Sequence, residues 1–225
     1  MSRVAVVHHN REIAVGRLRP FLRRHVVVDV WAPDADFPHD IDATVVMGGF
    51  MGAYDTDLHP WLDDEKAWLE KRVSEETPVL GLCLGAQLLA DVLGGRAFRA
   101  PHPEVGVVRV KLTEAGAAHP VISHLGDRAF FAHQDTFDPP ADATLLASTG
   151  TYPAAFEVGS ALAVQPHPET PLDEALAWAE DPRFDMLDRV GMSRDEYART
   201  LRAHAVEAEL AAEAMFGAWF GRLAR

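Results

Sequence analysis

The octapeptide PVLGLCLG occupies residues 78–85 of the 225-residue chain. Its first half is a short apolar run typical of a buried β-strand, and Gly81 and Gly85 flank the cysteine Cys83. The apolar residues 84–93 that follow predict a helix. A strand that turns abruptly into a helix through a glycine-flanked nucleophile is a nucleophile elbow, which places that residue at the carboxyl edge of an α/β sheet. The octapeptide therefore predicts an α/β fold with Cys83 exposed to a cleft at the sheet edge.

Short apolar and β-branched runs elsewhere in the chain predict more buried strands. The strands before the octapeptide are predicted at residues 4–7, 26–30 and 43–47, with helices at 17–24 and 61–73. Because such strands alternate with helices, we expect a three-layer α/β fold with a mostly parallel central sheet. Strand-like segments with short connections follow at residues 105–112, 128–131, 144–147, 154–158 and 161–164. Their close spacing predicts antiparallel hairpins added to the parallel sheet.

The last part of the chain is predicted to be helical. Its apolar residues recur at spacings of three and four, at Leu201, Ala205, Ala208, Ala212, Met215 and Trp219. We expect this stripe to pack against the rest of the chain, and a seam for a partner helix is the alternative. With no repeat or linker visible, residues 1–225 are predicted to form a single domain, with a helical segment from about 171 to 225 docked on it.

Composition excludes several classes of function. The chain has 21 Lys and Arg against 34 Asp and Glu, a net charge of −13, which disfavours binding to nucleic acid. No apolar run reaches the ~18 residues of a membrane span, and the start of the chain lacks the apolar core of a signal peptide. The single cysteine excludes an intramolecular disulfide and, with these observations, favours the cytoplasm.

No metal or cofactor is predicted. The chain has 11 histidines, but it has no H-E-x-x-H motif and one cysteine. Two histidine-containing segments, His8-His9 and His102-Pro103-Glu104, are expected to be solvated loop residues.

Cys83 needs a base if it is a nucleophile, and the chain offers one candidate segment. Helix N-termini lower thiol pKa values, so a cysteine at an elbow is suited to react, although a buried structural cysteine is the alternative. His167 and Glu169 follow the predicted strand 161–164 and lie two residues apart, so both can project from the same side of an extended segment. Glu169 could then hold the His167 imidazole in the tautomer that accepts the thiol proton.

Taken together, these motifs resemble the class I, triad-type glutamine amidotransferase family, which has a G-x-C-x-G elbow and a distal H-P-E. Other segments are similar to the family in order and distance, namely Val45–Gly49, Gly52–Asp55, Ala132–Phe137 and Val164–Glu169. The resemblance is closest to stand-alone members related to the amidotransferase part of GMP synthetase. It implies a flavodoxin-like, three-layer fold and a thiol-dependent amidohydrolase.

The resemblance also implies roles for individual residues. Cys83 would attack the side-chain amide of glutamine, His167 would pass a proton to the leaving ammonia, and Glu169 would orient His167. The backbone N–H groups of Gly49 and Leu84 would form the oxyanion hole. Many relatives have proline directly after the residue that matches Gly49, where this chain has phenylalanine.

Four further residues match positions near the substrate in the family. Gln87 lies one helical turn after Cys83 and would bind the polar end of the substrate, although glutamine is also an ordinary helix residue. His133, Gln134 and Asp135 match the segment next to the amino-acid end of the substrate. Asp135 could equally cap a turn.

Three functions stay open at this point. The first is an amidohydrolase that acts on glutamine and delivers ammonia to a separate synthetase, since no synthetase segment is expected within these 225 residues. The second is a γ-glutamyl peptidase or hydrolase that uses the same thioester chemistry on a glutamyl conjugate. The third is a catalytically silent regulatory or binding subunit. The joint presence of Gly49, Cys83, His167 and Glu169 counts against the third.

Overall fold

The computed structural model describes residues 1–181 and 183–224, which contain ten β-strands and seven α-helices. The strands are β1 (Arg3–His8), β2 (Val26–Trp31), β3 (Ala43–Val46), β4 (Val79–Leu82), β5 (Arg96–Arg109), β6 (Lys111–Leu112), β7 (Arg128–Asp138), β8 (Thr144–Ser148), β9 (Pro153–Val158) and β10 (Ala161–Val164). The helices are α1 (Arg19–Leu22), α2 (Trp61–Ser74), α3 (Leu84–Val92), α4 (Glu114–Ala118), α5 (Leu172–Trp178), α6 (Met186–Val190) and α7 (Arg194–Gly221).

Eight of these strands form the central sheet, in the order β2-β1-β3-β4-β10-β9-β8-β6. The first five are parallel, and β9, β8 and β6 extend the sheet in antiparallel fashion. The inner parallel strands β1, β3, β4 and β10 are buried on both faces over most of their length, which explains why they are largely apolar, whereas the edge strand β2 leaves Val26 and Val27 exposed. The predicted mostly parallel sheet with added antiparallel strands is confirmed.

The structure corrects two details of strand pairing. β10 was expected to belong to a hairpin alone, but it also lies parallel to β4, with Ala161 opposite Val79. β5 and β7 do not join the central sheet and instead pair with each other as a separate two-stranded ribbon. The hydrophobic pattern of a sequence shows that a segment is a strand, but it does not show which other strand it pairs with. This explains both differences.

Helices cover both faces of the central sheet. On one face α2 and α3 pack on the odd-numbered residues of β1, such as Ala5 and Val7. On the other face the end of α7 packs on Val4 and Val6 through a cluster of apolar side chains, namely Met215, Phe216, Trp219 and Phe220. Several residues of the predicted stripe on α7 are thus buried in the main core. The organisation of the chain as a single domain stays a prediction.

The longest helix, α7, has 28 residues and begins at the N-cap Ser193, whose hydroxyl accepts a hydrogen bond from the Glu196 N–H. Its exposed residues are mostly charged but include Val206 and Leu210. Within residues 1–181 and 183–224, no helix combines the length and the apolar character needed to cross a bilayer.

Candidate active site

Cys83 occupies a strained turn between β4 and α3. Its φ of +50° and ψ of −103° lie in a region that residues with a side chain rarely adopt. Such a conformation costs on the order of 1–3 kcal/mol and persists only where the surroundings enforce it. Two hydrogen bonds hold it here: the Cys83 N–H donates to the Val164 carbonyl at 2.9 Å, and its carbonyl accepts from the Gln87 N–H at 3.1 Å.

The glycines beside Cys83 allow the strand and the helix to touch. A Cβ at Gly81 would lie 2.5 Å from the carbonyl oxygen of Gly85 in the first turn of α3. A Cβ at Gly85 would press on the backbone of Val46, 3.0 Å from its carbonyl carbon. In both cases the obstacle is backbone, which cannot rotate away. Steric hindrance therefore explains why both positions that flank Cys83 are glycine.

His167 and Glu169 follow β10 and form a buried pair. The Nδ1–H of His167 donates to Glu169 Oε1 at 2.7 Å, and both side chains are almost fully buried. The backbone of this segment is fixed by the His167 N–H, which donates to the Phe130 carbonyl at 2.8 Å. From the other side, the Arg17 N–H donates to the Glu169 carbonyl at 2.8 Å.

The parallel pairing of β4 with β10 brings Cys83 and His167 to the same edge of the sheet. Gly48 lies against both, since a Cβ there would be 3.2 Å from His167 Cε1 and 3.7 Å from Cys83 Cβ. Burial acts to lower the pKa of His167, but the negative charges of a Cys83 thiolate and of Glu169 outweigh it and hold that pKa well above its ordinary value. The site therefore favours the protonated form of His167.

These residues open onto a cleft of about 470 Å³. Most of the residues that the sequence singled out lie on it together: Gly49, Cys83, Gln87, His133, Gln134, Asp135 and His167. Glu169 lies behind His167. Aromatic side chains from Phe50, Trp178 and Phe184 also line the cleft, together with charged residues such as Glu174 and Arg183.

Two backbone donors at this edge are unengaged. Among residues 1–181 and 183–224, neither the Gly49 N–H nor the Leu84 N–H has a hydrogen-bond acceptor. Gly49 follows β3, the neighbour of β4, and Leu84 is the first residue of α3. A Cβ at Gly49 would collide with the Leu84 side chain, so the two segments approach closely. Free N–H groups on adjacent segments beside a nucleophile are what an oxyanion hole requires.

Gln87 is 3% exposed, and its amide group is partly committed to the protein. Its Nε2 donates to the Asp135 carbonyl at 2.9 Å and to Gln165 Oε1 at 3.3 Å. The remaining polar atom is the side-chain oxygen. Substrate binding by Gln87 would therefore have to use that oxygen as an acceptor, and its predicted role stays a prediction.

The segment 133–135 lies within β7, so Asp135 does not cap a turn. The Nδ1–H of His133 donates to the Asp135 carbonyl at 2.8 Å, and its Nε2 lies 3.1 Å from a Glu104 oxygen. The Tyr54 hydroxyl donates to the Asp135 carboxylate at 2.5 Å, and burial raises the pKa of Asp135. Of the three side chains in the segment, the partly exposed amide of Gln134 is the most accessible.

Three features of the site were missed at the level of sequence. His9 and Glu104 were expected to be solvated but are not: His9 is 2% exposed and paired with Glu65, while Glu104 pairs with His133. Tyr54 reaches Asp135 from a loop 81 residues earlier. Each of these contacts joins distant segments, so no local pattern indicates it.

The α/β sheet thus presents a strained cysteine beside a buried histidine–glutamate pair at one edge. Residues 16–177 match the model of the glutamine amidotransferase class-I family, and the chain belongs to that family.

Curated relatives support this family assignment. The chain is 35% identical over 104 residues to the glutamine amidotransferase-like protein YfeJ of Salmonella typhimurium, covering 45% of this chain and 42% of the relative. It is 38% identical over 132 residues to the GMP synthase of Aeropyrum pernix, covering 56% of this chain and 24% of that enzyme. The matched region thus spans well under two thirds of either relative.

Solved structures match over nearly the whole chain. A glutamine amidotransferase from Thermotoga maritima superposes with a TM-score of 0.84 and 25% identity, covering 97% of this chain and 98% of that one.

Proposed function

We propose that the chain hydrolyses the side-chain amide of glutamine through a γ-glutamyl thioester on Cys83. The observation that carries this proposal is the strained Cys83 backbone beside the buried His167–Glu169 pair, in a chain of the class-I glutamine amidotransferase family. A silent subunit would have no use for a strained elbow, whose conformation costs free energy.

In the proposed reaction the Cys83 thiolate attacks the amide carbon of the substrate. The C–N bond breaks, and the His167 imidazolium gives its proton to the leaving ammonia. Water then attacks the thioester while His167 removes its proton, the C–S bond breaks, and glutamate leaves. Glu169 holds Nδ1–H and stabilises the imidazolium that forms again.

The oxyanion of each tetrahedral intermediate would be bound by the N–H groups of Gly49 and Leu84. One such donor contributes on the order of 3 kcal/mol to transition-state stabilisation. The side-chain oxygen of Gln87 and the segment 133–135 would contact the amino-acid end of the substrate from the polar wall of the cleft.

We further propose that the ammonia passes to a separate synthetase. Relatives of this chain include one of the subunits of the glutamine-hydrolysing GMP synthase from Saccharolobus solfataricus, 33% identical over 97 residues, which covers 42% of this chain and 52% of that one. A relative named as one subunit of a synthase supports the existence of a partner subunit, and we expect slow hydrolysis in isolation and activation by that acceptor-binding partner. The lone cysteine supports a cytoplasmic location as part of the same proposal.

A γ-glutamyl hydrolase is the second candidate, and the cleft favours it. The cleft has a volume of about 470 Å³, which lies in the range of pockets that bind ligands larger than an amino acid. The aromatic side chains of Phe50 and Trp178 in its lining could accommodate an amine larger than ammonia.

The test measures ammonia and amine release over a panel of γ-glutamyl compounds, together with covalent labelling. A diazo-ketone analogue of glutamine should add one mass increment at Cys83 and none in Cys83→Ala. Since the chain has no other cysteine, labelling that persists in Cys83→Ala would refute the nucleophile. Hydrolysis of free glutamine faster than the ~10 s⁻¹ median of enzymes, with no partner present, would refute the coupled mode of action.

A further inference from the structure

A buried charged pair lies directly behind the Gly48-Gly49 segment. His9 follows β1 and Glu65 lies in α2, and both side chains are fully buried. His9 Nδ1 is 3.1 Å from the Gly48 carbonyl oxygen, and Nε2 is 3.0 and 3.1 Å from the two Glu65 oxygens. Neither residue lines the cleft. The proposed mechanism gives this pair no role.

The hydrogen-bond partners determine the protons on His9. A carbonyl oxygen can only accept, so Nδ1 carries a proton and donates it to Gly48. If Glu65 is a carboxylate it also accepts, so that Nε2–H donates to it and the ring is an imidazolium. Burial acts to lower the pKa of His9, but the charge and hydrogen bonds of Glu65 outweigh it and raise that pKa.

The Gly48 carbonyl and the Gly49 N–H belong to one planar peptide group. Because such a group is rigid, a bond that holds the carbonyl also fixes the direction of the N–H on its other side. A charged donor on the carbonyl oxygen polarises the peptide and makes its N–H a stronger donor. The next peptide is held as well, since the Phe50 N–H donates to Asn10 Oδ1 at 3.0 Å.

We propose that His9 and Glu65 are positioning residues that orient and polarise the 48–49 peptide for oxyanion binding. The inference rests on the proposed function, because it concerns the Gly49 N–H of that site. Glu65 fixes the orientation of the His9 ring and stabilises its positive charge. The ring in turn orients and polarises the 48–49 peptide through its hydrogen bond to the Gly48 carbonyl. Neither residue touches the substrate.

A purely structural role makes a different prediction. His9 also stacks on Trp61, with ring centroids 5.9 Å apart, so the pair could serve only to join α2 to β1. In that case the bond between His9 and Glu65 would be the important one, and the bond to Gly48 would be incidental.

Two isosteric substitutions separate these roles. His9→Asn can place an amide N–H near the position of Nδ1 and keep the bond to Gly48. His9→Gln can place one near Nε2 and keep the bond to Glu65. Both remove the positive charge, so they form a matched pair.

The experiment compares kcat and KM for amide hydrolysis, with the alkylation rate of Cys83 by iodoacetamide as a control that needs no oxyanion donor. Losing one oxyanion donor costs about 10²–10³ in kcat, so we expect His9→Gln to lose roughly ten- to a hundredfold and His9→Asn clearly less. KM and the alkylation rate should stay within about twofold of wild type. Equal losses, or a more active His9→Gln, would overturn the proposal.

Two further measurements keep the test decisive. If a His9 variant does not fold, Glu65→Gln carries the test: it removes the carboxylate charge, and an unchanged kcat in the folded variant would overturn the proposal. If the wild type hydrolyses no γ-glutamyl compound, the proposed function fails by itself. The ¹⁵N–¹H resonance of Gly49 then still reports on the peptide, and it should move more in His9→Gln than in His9→Asn; the reverse order would refute the orienting role.

Discussion

Substitution of Gly81 by alanine should displace Cys83 without changing its side chain. The new Cβ would lie 2.5 Å from the Gly85 carbonyl oxygen, whereas ordinary contacts begin at 3.4 Å, a shortfall of 3.4 − 2.5 = 0.9 Å. Since the obstacle is helix backbone, the first turn of α3 must move by roughly this amount. That turn carries Cys83 and the Leu84 N–H.

Both stability and activity should fall in Gly81→Ala. Overpacking of this kind costs about 1–3 kcal/mol, which for a chain of this size lowers Tm by roughly 2–12 °C. A misplacement near 1 Å can cost about a hundredfold in rate, so kcat should fall by about that factor.

The assays are thermal unfolding, steady-state hydrolysis and the rate of Cys83 labelling. Gly150→Ala is the matched control, because a Cβ there has nothing within 4 Å and the backbone is not left-handed. A Gly81→Ala protein with the Tm and kcat of the wild type would refute the steric account of the elbow.

Three other substitutions test separate parts of the structure. His167→Ala should lower kcat by several powers of ten in steady-state assays while the protein stays folded, and near wild-type turnover would exclude it as the proton carrier. Glu169→Gln should cost less in kcat, because an amide can keep the hydrogen bond to Nδ1. The pKa of His167 is raised in the folded state, so its contribution to stability is fully present below about pH 6.5 and is lost as pH rises through the raised value. The destabilisation by Glu169→Gln, measured by denaturant unfolding, should therefore be larger at pH 6 and shrink in alkaline buffer. Ser193→Ala removes the N-cap of α7 and should lower the free energy of unfolding by about 1 kcal/mol, with kcat unchanged; a large loss of activity would mean that α7 is coupled to the site.

The parts of the fold that could be predicted from sequence are those with a local physical signature. The inner parallel strands β1, β3, β4 and β10 are buried on both faces, so they are largely apolar, and the elbow needs glycine at two positions because backbone touches backbone. The candidate residues Cys83, His167 and Glu169 could be identified from the sequence because they lie in two short motifs.

The ribbon of β5 and β7 was predicted only in part, by the strand-like segments 105–112 and 128–131. β5 begins at Arg96, but residues 99–104 contain two prolines at a register shift, and proline argues against a regular strand. The His9–Glu65 pair was missed for a different reason. It joins residues 56 apart, and a buried histidine has the same letter as an exposed one.

The insertion of β10 beside β4 has a consequence for synthesis of the protein. The two strands pair across 161 − 79 = 82 residues, so β4 emerges from the ribosome long before its neighbour. At about 5–20 residues per second, the interval lasts several seconds. During that time Cys83 has neither the Val164 carbonyl that holds its backbone nor the His167 imidazole. We therefore expect the nascent Cys83 to behave as an ordinary cysteine until the later half of the chain folds against it.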